Sequence, residues 1–375
     1  MTNIFIADEF ESISEGIYKK ILNQSRAISK ILNECSLISK NNNKVIIKHI
    51  HDGIETTRSE HSIFKWTLFW KFSKSILIES LMLIVKSRNP GILYIRHMMR
   101  PSFLLLFVLI IAKIKKYKIY YEIPTYPYFY EQIKGSKNKI LTFLRLLIEY
   151  LQWPIIYILS SKIITILSNS KKRKFKKMKV VTNGFDPEEV PIKTRSIIES
   201  TINFIGVGTI FPYHGYDRLI EAIADDYNKS GIIRYKFHIV GQSSEIEILR
   251  NKVIKNNIHN IIIFYGILTG ERLSNLFNNC DIGVGCLKLF MRNADLDTTI
   301  KSIEYLGRGL PVLSSGGIIS ENIFLPLLKV KNDDSPIDLS IIREEFINKN
   351  LDLSTQQKIR EMYSWTYIMK NILMN

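Results

Sequence analysis

The chain has 375 residues, enough for two domains of ordinary size, and an apolar fraction of 46% that excludes a disordered polymer. Its formal net charge is +17, and the whole excess lies in one half: residues 1–200 hold 33 Lys/Arg against 16 Asp/Glu, while residues 201–375 hold 19 of each. Three cysteines (Cys35, Cys280, Cys286) without metal spacing, and the lack of a Walker loop or a paired-His helix motif, argue against a disulfide scaffold, a zinc enzyme and a P-loop enzyme.

The uneven charge favours a negative partner for the first half: nucleic acid, anionic lipid headgroups or a phosphorylated acceptor. Biased coding would spread lysine over both halves. The densest cluster is Lys171–Lys179. An odd, sparse cysteine count suggests a reducing compartment. Met1–Phe10 has no basic start followed by an apolar run, so no secretory signal is expected. The run Phe103–Ala112 falls short of the roughly 20 residues a spanning helix needs. The apolar region Ile140–Leu167 is interrupted by Arg145, Glu149, Gln152, Pro154 and Lys162, so no transmembrane helix is expected there either.

In chain order, Asn3–Ala7 reads as a strand, and Ile17, Ile21, Ile28, Ile31 and Leu32 carry helical spacing. Val45–Ile50 is the next strand, Phe64–Lys86 a helix, and Ile92–Ile95 a strand after the turn Asn89-Pro-Gly. Helix Phe103–Lys113, strand Lys118–Ile123, an apolar helix Ile140–Leu159 with a break near Pro154, and strands Lys162–Leu167 and Lys179–Val181 follow. Strand alternating with helix predicts a parallel sheet covered on both faces. Asn183-Gly-Phe-Asp-Pro187 breaks the rhythm, and the polar stretch 188–200 reads as a linker. The rhythm restarts with strands Ile202–Val207, Lys236–Val240, Ile261–Tyr265 and Ile282–Gly285, separated by helices. Two α/β halves predict a cleft, with ligands at the carboxyl ends of the strands. The expected domains are 1–187, 188–353, and a helical segment 354–375 packing back on the first.

The most informative stretch is Asp281–Gly317. A strand ends in a glycine-containing loop. A helix then starts near Asp297 or Thr298, both good N-cap residues, and Gly309 and Pro311 stop it. A helix start offers free N–H groups and a positive dipole end to an anion. Lys301 and Glu304 are three apart and share a face. A cation for phosphate and a carboxylate for ribose hydroxyls suit a nucleotide.

The run Thr299-Ile-Lys-Ser-Ile-Glu304 through Pro311 resembles the nucleotide-sugar-binding helix of GT-B glycosyltransferases of the "group 1" family, family 4. Phe204-Ile-Gly-Val-Gly208 with His214-Gly-Tyr-Asp-Arg-Leu-Ile220 resembles that family's first strand, loop and helix of the donor domain. Val181-Thr-Asn-Gly-Phe-Asp186 resembles its inter-domain linker. Gly16-Ile-Tyr-Lys-Lys20 and Glu122-Ile-Pro-Thr-Tyr-Pro127 look like bacterial members that build surface polysaccharides such as capsule or lipopolysaccharide.

The resemblance implies an α/β, GT-B fold of two Rossmann-like domains. It implies transfer of a sugar from a UDP-, GDP- or dTDP-sugar to an acceptor hydroxyl, usually with retention and with no metal or other cofactor. A lipid-linked saccharide would be the acceptor and the cytoplasmic face of an anionic membrane the place. Gly208, Thr209, Thr298, Thr299 and Lys301 would meet the diphosphate and Glu304 the ribose. Two departures stand out. Leu296 occupies the place of a second carboxylate, with Asp295 and Asp297 flanking it, and Thr209 and His214 stand where relatives carry Arg and Lys. Arg218 or Lys288 could compensate.

On the acceptor side, Glu122 at a strand end is the candidate base and His97 a second catalytic candidate, with Arg96, Tyr126, Glu15 and Gly16 beside them. Tyr120, Tyr121, Tyr128, Phe129 and Tyr130 could stack on sugar rings or pack in the core. Other readings are a nucleotide-sugar 2-epimerase, a non-catalytic GT-B partner subunit, and a nucleic-acid binder resting on the Lys cluster without a readout module.

Overall fold

The computed structural model describes residues 1–10, 16–41, 44–62, 71–98, 102–171, 175–194, 200–320, 324–348 and 352–374. Glu15, Lys172–Lys174, residues 195–199 of the expected linker and the start of the expected helix from Phe64 lie outside them. The elements run β1 (Thr2–Phe10), α1 (Gly16–Leu32), β2 (Glu34–Asn41), β3 (Lys44–His51), β4 (Ile54–Ser62), α2 (Lys71–Lys86) and β5 (Pro90–Arg96). Next come α3 (Phe103–Ile114), β6 (Lys118–Tyr126), α4 (Phe129–Lys134), α5 (Lys139–Leu159), β7 (Lys162–Leu167) and β8 (Met178–Val180). Then follow β9 (Ile202–Val207), α6 (Tyr216–Ser230), β10 (Tyr235–Val240), α7 (Glu245–Lys255), β11 (Ile262–Gly266), α8 (Gly270–Asn278) and β12 (Ile282–Val284). The chain ends with α9 (Ile300–Arg308), β13 (Val312–Ser314), β14 (Leu327–Lys329), α10 (Leu339–Asn348), α11 (Leu353–Met362) and α12 (Trp365–Met374).

Two compact units result. The first comprises Met1–Leu167, Lys171–Val181 and Trp365–Asn375, and the second Ser168–Ser170 and Thr182–Ser364. The chain thus passes into the second unit at Thr182. Of the expected returning segment, α11 stays in the second unit and only α12 joins the first.

The first unit is built on one sheet of order β4-β3-β2-β1-β5-β6-β7-β8. Its β1 alternates, with Ile4 and Ile6 facing a core under α2, α3 and α5, and Phe5 and Ala7 facing a core under α1 and α12. Burial on both faces explains why the central strands read as unbroken apolar runs. The expectation of an all-parallel sheet needs correction. β3 runs antiparallel to both β2 and β4. The turn between β3 and β4 is Asp52-Gly53 with both residues at positive φ, the tight hairpin geometry that Asp-Gly favours. α5 runs through Pro154 without a break. Its last turn is closed by Lys177, whose Nζ donates to the carbonyls of Tyr157 (2.7 Å), Ile158 (3.1 Å) and Ser160 (2.8 Å).

The second sheet has order β11-β10-β9-β12-β13-β14, and every pairing is parallel. Counted from β9, this is the doubly wound 3-2-1-4-5-6 order. α6, α7 and α10 cover one face, and α8, α9 and α11 the other. The strand order reverses between β9 and β12, so the crevice beyond their carboxyl ends is the place for a ligand.

Candidate functional site

Everything at that crevice begins with what β9 and β12 allow. A Cβ on Gly206 would lie 2.5 Å from the Tyr216 ring, so only glycine lets this ring pack across the strand. The Tyr216 hydroxyl donates to the Val284 carbonyl (3.3 Å) and accepts from Lys301 Nζ (2.9 Å). Gly208, at φ +121°, and Thr209 follow as exposed backbone where β9 ends. A positive φ there favours glycine, and the Gly208 amide donates to the Val240 carbonyl at 3.0 Å.

The start of α9 is fixed by Asp297, which is 1% exposed. One carboxylate oxygen accepts from the Thr299 amide (3.1 Å) and hydroxyl (2.7 Å). The other accepts from the Cys286 amide and the Ser302 and Ser314 hydroxyls, each at 2.9 Å. This carboxylate is saturated by protein donors, so it is not free to meet a sugar. Asp295 is bonded to the Ser170 amide and hydroxyl. The N-cap is Thr299, one or two residues later than the sequence suggested. The Asn183 side chain holds the Thr298 carbonyl. The amides of Ile300, Lys301 and Ser302 begin the helix and have no carbonyl one turn back to bond. Lys301 and Glu304, both half-buried, follow on that first turn and the next.

His214 packs between the Tyr213 ring (centroids 4.7 Å apart) and the Tyr216 ring (5.7 Å). Its Nδ1 accepts from the Phe211 amide (3.1 Å), which leaves Nε2 carrying the proton of a neutral ring. Burial, and then the charges of Lys301 and Arg292, push its pKa well below the usual histidine value. His214 therefore offers a neutral N–H, and the cations beside it are Lys301 and Arg292. Arg292, missed in the sequence, lies 4.6 Å from the centre of the Tyr213 ring.

The two expected compensating cations are employed elsewhere. The Arg218 guanidinium donates to the carbonyls of Leu287, Lys331 (3.1 Å) and Ser335 (2.7 Å). Lys288 Nζ is paired with Asp217 (2.8 Å) and Asp334 (3.0 Å). Neither has an ammonium or guanidinium to spare for a phosphate without breaking these bonds.

In the first unit, Glu122 is 1% exposed and accepts four bonds. They come from Gln24 (2.9 Å), the Tyr94 hydroxyl (2.6 Å), Arg96 (3.2 Å) and Lys20 (3.0 Å). Burial alone would raise its pKa, but Lys20 and Arg96 hold it down at about 2. A carboxylate so acidic and so enclosed cannot take a proton near neutrality, so Glu122 is a structural pin of α1, β5 and β6, not a base. Arg96 is buried as its partner. His97 is also buried, with Nδ1 2.8 Å from the Tyr121 hydroxyl and Nε2 3.4 Å from Glu149. Burial, with Arg96 and Arg145 nearby, lowers its pKa to about 4. It too belongs to the interior. Gly16 is exposed at the start of α1 and Tyr126 half-buried at the end of β6. Tyr120 and Tyr121 are core residues, whereas Phe129 is partly exposed. Among the described residues no group of three or more His, Cys, Asp or Glu is placed to hold a metal ion.

No protein-family model matches the chain, and no curated protein matches it in sequence. Its structure is similar to solved glycosyltransferase structures. A glycosyltransferase from Rickettsia africae ESF-5 shares 14% identity at a TM-score of 0.61, covering 100% of this chain and 97% of that one. The apo lipopolysaccharide outer core galactosyltransferase WaaB shares 12% identity at 0.57, covering 99% and 98%. Anabaena HepE, in complex with UDP and glucose, shares 10% identity at 0.54, covering 100% and 95%. The fold is that of the GT-B glycosyltransferases, two α/β domains with parallel-sheet cores.

Proposed function

We propose that this chain is a glycosyltransferase that takes a sugar from a nucleoside diphosphate and passes it to an acceptor hydroxyl. One observation carries the reading. Beyond the carboxyl ends of β9 and β12, exposed Gly208 and Thr209, the free amides opening α9, Lys301 and Glu304 belong to one sheet's switch point. This is the chemistry of a nucleotide site, and UDP in the HepE complex fits the same kind of ligand. Amides and Lys301 would stabilise charge on the departing diphosphate, without reorganisation, as the sugar leaves. Glu304 would accept from two ribose hydroxyls, and the His214 Nε2–H would add a neutral donor.

Transfer would proceed with retention, as the resemblance implies, and Glu122 and His97, both buried and engaged, are not its bases. In this reading Lys301, Arg292 and the helix start, instead of a cation cofactor, balance the diphosphate. The donor would be a UDP-, GDP- or dTDP-sugar. The enzyme would be of the family 4 type, and its acceptor a lipid-linked saccharide of a surface polysaccharide at the cytoplasmic face of the membrane. The test is nucleotide release from a panel of such donors, with membrane extract as acceptor. Release with one donor that depends on the extract is expected. No release with any donor, together with tight association with an active glycosyltransferase, would favour a non-catalytic partner subunit.

A further inference from the structure

α5 is amphipathic in the opposite sense to a solvated surface helix. Toward the sheet it turns Thr142, Leu146, Glu149, Gln152 and Ile156, three of them polar. Outward run Ile140, Leu144, Leu147, Leu151, Ile155 and Ile158, spaced three or four apart, with Ile140 76% and Leu151 68% exposed. The neighbouring helices repeat the pattern. α3 exposes Phe103, Phe107, Ile110 and Ile114, and α2 exposes Ile78, Met82 and Val85. α3 packs against both α2 and α5, so the stripes lie side by side on one face of the first unit. An apolar surface of that extent marks an interaction site.

Charge selects the occupant. From Lys71 to Lys179 the sequence holds 22 Lys/Arg and four Asp/Glu, and two of those acids, Glu122 and Glu149, are buried. Exposed Lys113 in the last turn of α3 and Lys116 and Lys118 after it, and exposed Lys134, Lys137 and Lys139 before or opening α5, flank the stripes. A second copy would bring the same positive charge against this face, which is repulsive. An anionic bilayer supplies apolar depth for the stripes and headgroups for the lysines. α5 is long and apolar enough to cross a membrane. Its polar side, however, is tied to the first unit: Tyr128 donates to Glu149, and Thr142 shares a bond with Ser136 (2.6 Å). A helix held so lies in the interface plane.

We infer that the first unit docks on an anionic lipid surface through the outward stripes of α2, α3 and α5, inserted shallowly, with the flanking lysines on the headgroups. The inference rests on this face alone and not on the nucleotide site, although it would bring the proposed enzyme to a lipid-linked acceptor.

The experiment is co-sedimentation of the full chain with vesicles of phosphatidylglycerol and phosphatidylcholine, and with phosphatidylcholine alone. Binding to the anionic vesicles is expected. It should weaken about tenfold or more in Leu147→Gln/Leu151→Gln and in Lys116→Glu/Lys137→Glu, and weaken in high salt for the wild type. All four positions are exposed, so an unchanged thermal midpoint and unchanged UDP affinity confirm that the variants fold. Absent binding, or binding undiminished by the Leu147/Leu151 pair, would overturn the inference. So would a concentration-dependent dimer, lost in that pair, without vesicle binding. A chain that binds vesicles but no nucleotide leaves this inference standing and removes the transferase reading.

Discussion

The Lys301 ammonium donates to the Tyr216 hydroxyl at 2.9 Å and lies 4.8 Å from the centre of that ring. A flexible cation is thereby held at the start of α9, at the place proposed for a diphosphate, with little further ordering left for binding. Charge-assisted bonds of this kind contribute about 1.5–3 kcal/mol. Lys301→Met should therefore weaken binding of the preferred nucleoside diphosphate roughly 10- to 100-fold by titration calorimetry. Tyr216→Phe keeps the ring and loses the hydroxyl, so its loss should be smaller. Equal affinity in Lys301→Met and wild type would remove Lys301 from the site.

Two arginines should separate cleanly. Arg292 stands beside His214, while Arg218 is spent on backbone carbonyls. Arg292→Ala should weaken inorganic pyrophosphate binding about tenfold and lower the unfolding midpoint less than Arg218→Met does. Arg218→Met strands three carbonyl acceptors, that of Leu287 buried, and should lower the midpoint. If Arg218→Met keeps wild-type stability and loses pyrophosphate, the two roles are exchanged.

Glu304 lies one turn after Lys301 on the half-buried side of α9. As a ribose ligand it should matter for nucleosides and not for bare phosphates. Glu304→Ala should weaken nucleoside diphosphate binding about tenfold and leave pyrophosphate binding unchanged. A parallel loss for both ligands would point to a disturbed helix instead.

The fold was legible because its signals are local. Apolar runs mark strands buried on both faces, and Gly309 stops α9 where the sequence placed its end. The β3–β4 hairpin had its own signal in Asp52-Gly53, but the strand-helix rhythm around it masked that signal. Sequence could place Arg218 and Lys288 near the crevice because each follows a strand that ends there. It could not show that Leu287, Lys331 and Ser335 carbonyls, or Asp217 and Asp334, claim them first, since those partners are set by loop paths. Glu122 and His97 failed for the same reason. A strand end looks like a site until Lys20 and Gln24, a hundred residues away in sequence, close over it. Gly206 stood in the sequence only as part of the run Phe204-Ile-Gly-Val-Gly208, and in the structure it makes room for the Tyr216 ring.

Asp297 joins the loop after β12, the start of α9 and the end of β13 through five accepted bonds. Asp297→Ala leaves the buried Ser302 and Ser314 hydroxyls without this acceptor. It should cost about 3 kcal/mol, read as a lower urea midpoint. Nucleotide affinity should fall with it, because the amides opening α9 lose their fixed position. Asp297→Asn keeps shape and some acceptor capacity, so it should recover part of both. Full stability in Asp297→Ala would show that the loop has another anchor.

Acid should unfold the first unit in two windows. His97 is lowered from 6.5 to about 4, by burial and then by Arg96 and Arg145. The fold therefore favours the neutral ring. This contribution is complete above about pH 6.5 and is lost as pH falls toward 4. Glu122 is lowered from 4.5 to about 2: burial opposes this, and Lys20 and Arg96 outweigh it. Its contribution is complete above about pH 4.5 and lost as pH falls toward 2. Glu149, raised chiefly by burial, works in the opposite sense beside His97, so Glu149→Gln is the reference background. In that background His97→Gln should flatten the stability profile between pH 6.5 and 4 and leave the lower window intact. Glu122→Gln strands Lys20 and Arg96 as buried charges, and should cost about 3–5 kcal/mol at neutral pH while flattening the lower window. Urea midpoints measured across this pH range test both. A His97→Gln profile as steep as the parent's above pH 4 would place the acid-sensitive proton on another group.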